Sequence, residues 1–190
     1  MNFDRLKSEI KLITFFSEEE LASLSALFSE VNLKKNEFLL KEGQVCNFVA
    51  FVTKGTLIYY KLLDSGKELT TDFAFAGDWV CNNQSRLCKI SSALSIKAIE
   101  ESQLLVIRTE DLEDCYKRYP QTERLGRILM EQSFIKIAAQ TVDLQTISAS
   151  DRYNKMLRDY PDVFQKVPLH YIANYLGIAP KSLSRIRKNP

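Results

Sequence analysis

Glycines at 43, 55, 66 and 77, spaced 12, 11 and 11 residues apart, set a rhythm that few architectures accommodate. Between them lie short stretches rich in β-branched and aromatic residues, 48–52, 56–61 and 69–75, without helical periodicity. Turn signals at such regular spacing between short strands point to an antiparallel sandwich or barrel. Asp64-Ser65-Gly66-Lys67 reads as a hairpin turn in which Gly takes the positive φ. Stretches 94–98 and 104–107 would close a β region running from about residue 31 to 107.

Helical signals flank this region. Ser17-Glu18-Glu19-Glu20 fits a capping box, and Leu21, Leu24, Leu27 and Phe28 recur at helical spacing, so residues up to about 30 read as helix. Thr109 is placed as a cap, with Glu110 and Asp111 favouring the start of a helix to about residue 117. Pro120 opens a longer helix reaching about residue 147. In it Leu125, Ile128, Gln132, Ile135, Ala139 and Val142 alternate in steps of three and four, a short heptad seam. Met130, Phe134, Ile137 and Leu144 form a second apolar row. Two apolar faces need two coverings. One lies on the β region and one on a second copy of the chain, with Gln132 fixing register; burial of both within a single chain stays open.

At the carboxy-terminal end a helix from about 150 to 159 precedes Tyr160-Pro161. Pro168 then starts a short helix, Gly177 ends it in the left-handed region, and Pro180 starts another. Ala173, small, sits where the two axes cross; Ile172, Leu176, Ile178, Leu183 and Ile186 point into a shared core. The spacing Ala-x3-Gly-x5-Leu is that of a helix-turn-helix. The second helix carries Lys181, Ser182, Ser184, Arg185, Arg187 and Lys188 on its polar sides, suited to a major groove and its phosphates. His170, on the first helix, is within reach of a phosphate or merely exposed.

Charge supports this placement. Residues 150–190 hold eight Lys and Arg against three Asp, a net +5, which leaves −3 on residues 1–149 of a chain whose total is +2. A basic end on an acidic body suits an anionic partner. At 45% hydrophobic and 26% charged residues, the composition is that of a globular protein. The first residues mix charges and lead into no apolar segment, and no apolar run approaches membrane-spanning length, so a cytoplasmic chain without membrane contact is expected. Cys46, Cys81, Cys88 and Cys115 lack C-x-x-C spacing and His170 is the single histidine, which argues against a metal site and for buried, reduced thiols. A redox pair of Cys81 and Cys88 would rest on proximity alone.

The segment Val-Pro-Leu-His-Tyr-Ile-Ala-Asn-Tyr-Leu-Gly-Ile-Ala-Pro-Lys-Ser-Leu-Ser-Arg-Ile-Arg-Lys188 resembles the helix-turn-helix of the Crp/Fnr family of bacterial regulators, and Phe75-Ala-Gly-Asp-Trp79 and Ile99-Glu-Glu-Ser-Gln-Leu-Leu-Val-Ile107 resemble that family's β-roll. The resemblance covers the whole chain. It implies an α+β fold: an amino-terminal antiparallel β-roll (jelly roll) with flanking helices, a long dimerisation helix and a carboxy-terminal winged helix-turn-helix. The expected division is 1–118 for a cyclic-nucleotide-binding-like sensor, 119–148 for the dimerisation helix and 149–190 for the DNA-binding domain. It further implies a homodimer that binds double-stranded DNA and contacts RNA polymerase.

Family positions that read bases fall on Pro180, Lys181 and Arg185. Many relatives have Glu where Lys181 stands; Lys donates, favouring guanine O6/N7 or a phosphate, so the family's usual half-site does not transfer. Ala179 stands where Ser or Thr would cap, at a cost of about 1 kcal/mol. Relatives that bind cyclic AMP clamp its phosphate with an Arg at the place of Ser92, after a Gly-Glu pair that is here Gly77-Asp78. With Ser92 there, and only Arg86 or Lys89 as substitutes, tight binding of cyclic AMP is not expected. No cofactor is called for; an unidentified small-molecule effector at Gly77, Asp78, Arg86, Lys89 and Ser92 is left open. No Gly-rich phosphate loop, nucleophile elbow or histidine cluster points to an enzyme. The competing reading is a ligand-binding module whose helical tail contacts protein instead of DNA.

Overall fold

The computed structural model describes residues 3–188, Lys188 by its backbone alone. Helices α1 (Asp4–Ile13) and α2 (Glu18–Ala26) lead into strands β1 (Ser29–Leu33), β2 (Phe38–Leu40), β3 (Phe48–Lys54), β4 (Thr56–Leu62), β5 (Glu68–Phe75) and β6 (Trp79–Val80). Helix α3 (Asn83–Cys88) interrupts before β7 (Ser95–Ala98) and β8 (Ser102–Arg108). From there the described chain is helical: α4 (Thr109–Arg118), α5 (Pro120–Thr146), α6 (Ala149–Asp159), α7 (Val163–Lys166), α8 (Leu169–Tyr175) and α9 (Pro180–Lys188). None of these helices is long and apolar enough to cross a membrane.

The strands form two antiparallel four-stranded sheets, ordered β1-β8-β3-β6 and β2-β7-β4-β5. Their inner faces meet over Ala50, Val52, Leu57, Ala74, Ile96, Ala98 and Leu104. Their outer faces are covered as well. Phe51, Leu105 and Ile107 of the first sheet pack against Leu6, Ile10, Leu21, Leu24, Leu112 and Leu125 from α1, α2, α4 and α5. Ile58, Tyr60 and Phe73 of the second sheet, with Ile99, pack against Tyr153, Met156, Val163, Ile172 and Leu176 of the carboxy-terminal helices. Strands buried on both faces read as near-continuous apolar runs rather than alternating ones, which explains Phe48-Val-Ala-Phe-Val52 and Leu104-Leu-Val-Ile107.

Local signals behave as their chemistry dictates. Ser17 accepts from the Glu20 amide at 3.2 Å and Glu20 accepts from the Ser17 amide at 2.8 Å, completing the capping box. Gly66 has φ +77° in the β4–β5 hairpin. Thr109, expected to cap α4, is instead its first residue; its hydroxyl is buried without a partner, and Arg108 holds Asp111 at 2.8 Å. Pro168 is the residue before α8 rather than its first. Strand β1 begins inside the span expected to be helix, and β2, β6 and α3 are too short to have shown a period. The strands of the expected wing are not among the described residues, where the part after Arg108 is helical.

The β3–β4 link depends on Gly55. At φ +96° it occupies backbone space that L side chains rarely adopt, and a Cβ there would stand 2.2 Å from the Ser102 hydroxyl oxygen, with Ser102 itself fully buried. Gly55→Ala is expected to lower the unfolding free energy by roughly 1–3 kcal/mol from the backbone alone, with the clash added. Urea unfolding measures this, and a change under about 0.5 kcal/mol, the size of an ordinary surface substitution, would contradict it.

Candidate nucleic-acid interface

The approach to the helix pair is built by capping. Ser148 accepts from the Asp151 amide at 3.1 Å and starts α6, whose Tyr153 and Met156 are buried. Arg152 on α6 donates to the Ile147 carbonyl at 2.7 Å and to the Leu176 carbonyl at 2.9 Å, tying the end of α5 to the end of α8. Helix α8 ends in a Schellman arrangement: the Ile178 amide donates to Ala173 O at 3.0 Å and the Gly177 amide to Asn174 O at 3.0 Å, with Gly177 at φ +67°. The Ala179 carbonyl then accepts from Ser182 and Leu183, launching α9 from Pro180 without a side-chain cap. Ala173 is fully buried and Leu183 nearly so, while Ile178 and Ile186 are partly buried against the same cluster.

This packing leaves one side of α9 in solvent. Lys181, Ser184, Arg185 and Arg187 are exposed, and Ser182 is half-buried. Neither Lys181 nor Arg185 has a carboxylate partner among the described residues, and α9 carries no acid in its first turn. Arg187 is partly engaged: its guanidinium stands 4.9 Å from the centre of the Phe164 ring. Ser184 returns its hydroxyl to the Pro180 carbonyl at 3.1 Å. His170 is exposed on α8, its ring 3.9 Å from that of Tyr171. The side chain of Lys188 lies outside the described residues.

Helix α5 sorts its residues differently from the expected seam. The side facing the β-roll is Thr122, Leu125, Leu129, Ser133, Lys136 and Gln140, so Leu125 is buried within its own chain rather than available to a partner. Ile128 is half-buried; Gln132, Ile135, Ala139 and Val142 are exposed. The second row is open too, with Phe134 at 72% and Ile137 at 59% exposure. Beyond the second turn both apolar rows are largely exposed, although Met130 and Ile137 of the second also line the space between α5 and the β-roll. The expectation that one row rests on the β region is met only in part: Leu125 packs there, and Met130 and Ile137 border the space beside it, while Ser133, Lys136 and Gln140 occupy the other inward positions.

Between α5 and the β-roll lies a cavity of about 880 Å³. Gly77, Asp78 and Arg86 line it, but Lys89 and Ser92 do not. Lys89 ends α3 in the left-handed conformation, exposed. Ser92 is buried and its hydroxyl is committed, accepting from Asn82 Nδ2 at 2.8 Å and donating to the Leu94 carbonyl at 2.6 Å. Asp78 is also occupied: it accepts from the Phe75 amide at 2.7 Å, while burial raises its carboxyl above the usual range. Arg86 donates to Asn83 at 3.2 Å, and its buried Nε has no hydrogen-bond partner among the described residues.

The thiols are all free. Cys46 and Cys115 are buried and Cys81 is half-buried, its thiol pushed up to about 11 by desolvation; Cys88 is exposed, against expectation, on the outer side of α3. No group of His, Cys, Asp and Glu able to hold a metal ion occurs among the described residues.

Comparison with known proteins converges on the same architecture. Residues 30–119 match the cyclic nucleotide-binding domain. The transcriptional activator protein Anr of Pseudomonas protegens is 27% identical over 165 residues, covering 81% of this chain and 67% of the relative. FixK2 from Bradyrhizobium japonicum shares the fold with a TM-score of 0.76 at 20% identity, over 85% of this chain and 83% of that one. The catabolite activator protein of Thermus thermophilus gives 0.61 at 20% identity, over 94% and 85%.

Because a Cβ on Gly177 would meet nothing within 4 Å, Gly177→Ala isolates the cost of the left-handed turn. That cost is roughly 1–2 kcal/mol. Thermal unfolding should register it as a lowered Tm, and an unchanged Tm would mean that the turn relaxes to another shape.

Proposed function

We propose that this chain is a transcription regulator of the Crp/Fnr type that works by placing α9 in the major groove of double-stranded DNA, as a homodimer on a two-fold-related site. One observation carries the reading: a helix anchored by a Schellman turn and a buried Leu183 presents Lys181 and Arg185 to solvent with no carboxylate partner among the described residues. Unpaired cations on the outer side of such a helix have two natural partners in DNA. Arg185 and Lys181 suit guanine O6 and N7, with Pro180 at the entry to the groove. Ser182, Ser184, Arg187, Lys188 and His170 then serve backbone phosphates, which position the helix without specifying sequence.

Dimerisation is assigned to the side of α5 that carries Ile128, Ile135, Ala139 and Val142, which would pack against their counterparts around Gln132. In this scheme residues 1–118 sense, 119–148 pair the subunits and 149–190 bind DNA. Contact with RNA polymerase is proposed on the likeness to the transcriptional activator Anr alone. The cavity beside Gly77, Asp78 and Arg86 would take a small effector other than cyclic AMP, because the clamp position is occupied by the committed hydroxyl of Ser92.

Selection from random duplexes tests the first part. The protein is expected to recover a palindromic site, with affinity falling steeply as salt rises. Arg185→Ala should retain its fold and lose base preference at one position per half-site, at about 1–3 kcal/mol. Recovery of the same sites with equal preference would remove Arg185 from base reading, and failure to select any duplex at low salt would overturn the DNA assignment.

Thermal shift tests the effector site. Cyclic AMP at micromolar concentration is expected to leave Tm unchanged, whereas a ligand at a hundredfold its Kd adds about 2.7 kcal/mol. A clear rise in Tm would show that another group supplies the missing clamp.

A further inference from the structure

We infer that Lys136 and Gln140 of α5 are positioning residues: by holding Asp72 on β5 and Tyr175 on α8, they fix the orientation of the helix pair on the β-roll and hence the geometry in which α9 meets DNA. The inference rests on the DNA-binding reading above and adds the device that sets the angle of the reading head.

The helix pair is not suspended on a linker. Helix α8 lies across β5, its Asn174 Nδ2 donating to the Glu68 carbonyl at 2.8 Å and its Tyr175 ring 5.0 Å from that of Phe73. Tyr160, just after α6, stacks 5.3 Å from Phe75. Below α8, Lys97 is only 7% exposed, paired with Glu68 at 2.7 Å and lying 4.4 Å from the Tyr60 ring and 5.7 Å from Tyr171.

Helix α5 then closes the arrangement from the side. Lys136 Nζ reaches both carboxylate oxygens of Asp72, at 2.8 and 3.0 Å, and lies 5.9 Å from the Tyr160 ring. One turn on, Gln140 Nε2 donates to the Tyr175 hydroxyl at 2.8 Å. Burial pushes the Tyr175 phenol up to about 12, so it stays a neutral hydroxyl able to accept this bond. Sheet, long helix and helix pair are thus joined at one place by directional bonds. The apolar contacts supply adhesion, and the polar ones select a single orientation.

The docking side of α8 is not the side offered to DNA. Tyr171, Asn174 and Tyr175 face the sheet, whereas Lys181 and Arg185 remain exposed in the docked arrangement. The contact therefore orients α9 without hiding it. Orientation matters for a two-headed reader, because its half-sites lie one helical turn apart, about 34–36 Å, and the second head gains from the first only if it is held at that spacing.

The test uses the full-length protein, its selected palindrome, the isolated half-site and palindromes with one or two base pairs added to the spacer. Lys136→Met and Asp72→Asn should each weaken full-site binding about tenfold, within the range of ordinary coupling energies, and leave half-site affinity unchanged. The loss on spacer insertion should be smaller than in the parent protein. The double variant should be no worse than either single one, since both break one contact, and Lys136→Arg, which keeps the charge pair, should restore full-site affinity.

Amide hydrogen exchange, independent of DNA, should rise in β5 and α8 of the Met variant. Unchanged exchange in a folded Lys136→Met protein overturns the inference, whether or not DNA is bound. So does an unchanged ratio of full-site to half-site affinity, and so does tighter full-site binding, which would make the contact inhibitory. Failure of the parent protein to bind any duplex, with exchange behaving as expected, would instead sink the DNA assignment and leave the grip on α8 as a contact that orients the helices for another purpose.

Discussion

Both sheets of the β-roll have to bury both of their faces, and the arrangement of the helices follows from that requirement. The inner faces satisfy each other over residues such as Leu57, Ala74 and Ile96. The outer face of β3 and β8 is apolar at Phe51, Leu105 and Ile107, which fixes the place of α1, α2, α4 and the start of α5. The outer face of β4 and β5 is apolar at Ile58, Tyr60 and Phe73, and α6 to α8 cover it. Exposing such side chains would cost about 1.5–3 kcal/mol each. The carboxy-terminal helices are therefore held down by the same alternation that builds the sheet. The exception is instructive: Lys97 points outward into this apolar layer and is tolerated because Glu68 and two aromatic rings replace its water.

Helix α5 changes character along its length. Its first turns point Leu125 and Leu129 at the β-roll, as an amphipathic surface helix should. Further on, the positions toward the β-roll become largely polar, with Ser133, Lys136 and Gln140 beside Ile137, while Phe134, Ile135, Val142 and Leu144 are exposed. An inverted helix of this kind has an inner side suited to polar partners and an outer side that water does not suit.

Much of this was legible because the signals were local. Gly177 and Gly66 sit where a left-handed residue is required, and Ser17 with Glu20 makes both bonds of its box. The long strands were readable from composition. The shortest elements, β6 and α3, were not, since α3 announces itself only through Asn82, whose side chain accepts from the Ser85 amide. Side-chain direction was the harder matter. Leu125 fits the heptad yet faces its own sheet, because the first two turns of α5 complete the core around Phe51 before any seam can begin. Ser92 stands where a clamping group would be expected, but its hydroxyl fastens Asn82 to the Leu94 backbone, a role that spacing does not reveal. Lys97 gave no sign of burial, because its compensating partners are distant in sequence.

The cavity and the carboxy-terminal helix pair are linked through side chains of this second, non-local kind. Asp72, Phe73, Lys136 and Gln140 line the cavity, and through Lys136–Asp72, Gln140–Tyr175 and Phe73–Tyr175 they also form the seat of α8. One partition serves two compartments. Coupling between distant sites requires an element whose arrangement both sites bias, and a shared wall meets that condition without any chain of intermediates. An occupant that drew Lys136 or Asp72 toward itself would have to compete with their mutual bond, so its differential affinity for the two arrangements would set the size of the response. Arg86 also lines the cavity, its buried Nε having no partner among the described residues, while Asp72 and Asp78 are already engaged. Arg86 and Asp78 on one side and the Lys136–Asp72 pair on the other are thus neighbouring but separate polar groups on one wall, so a change at the first leaves the seat of α8 in place.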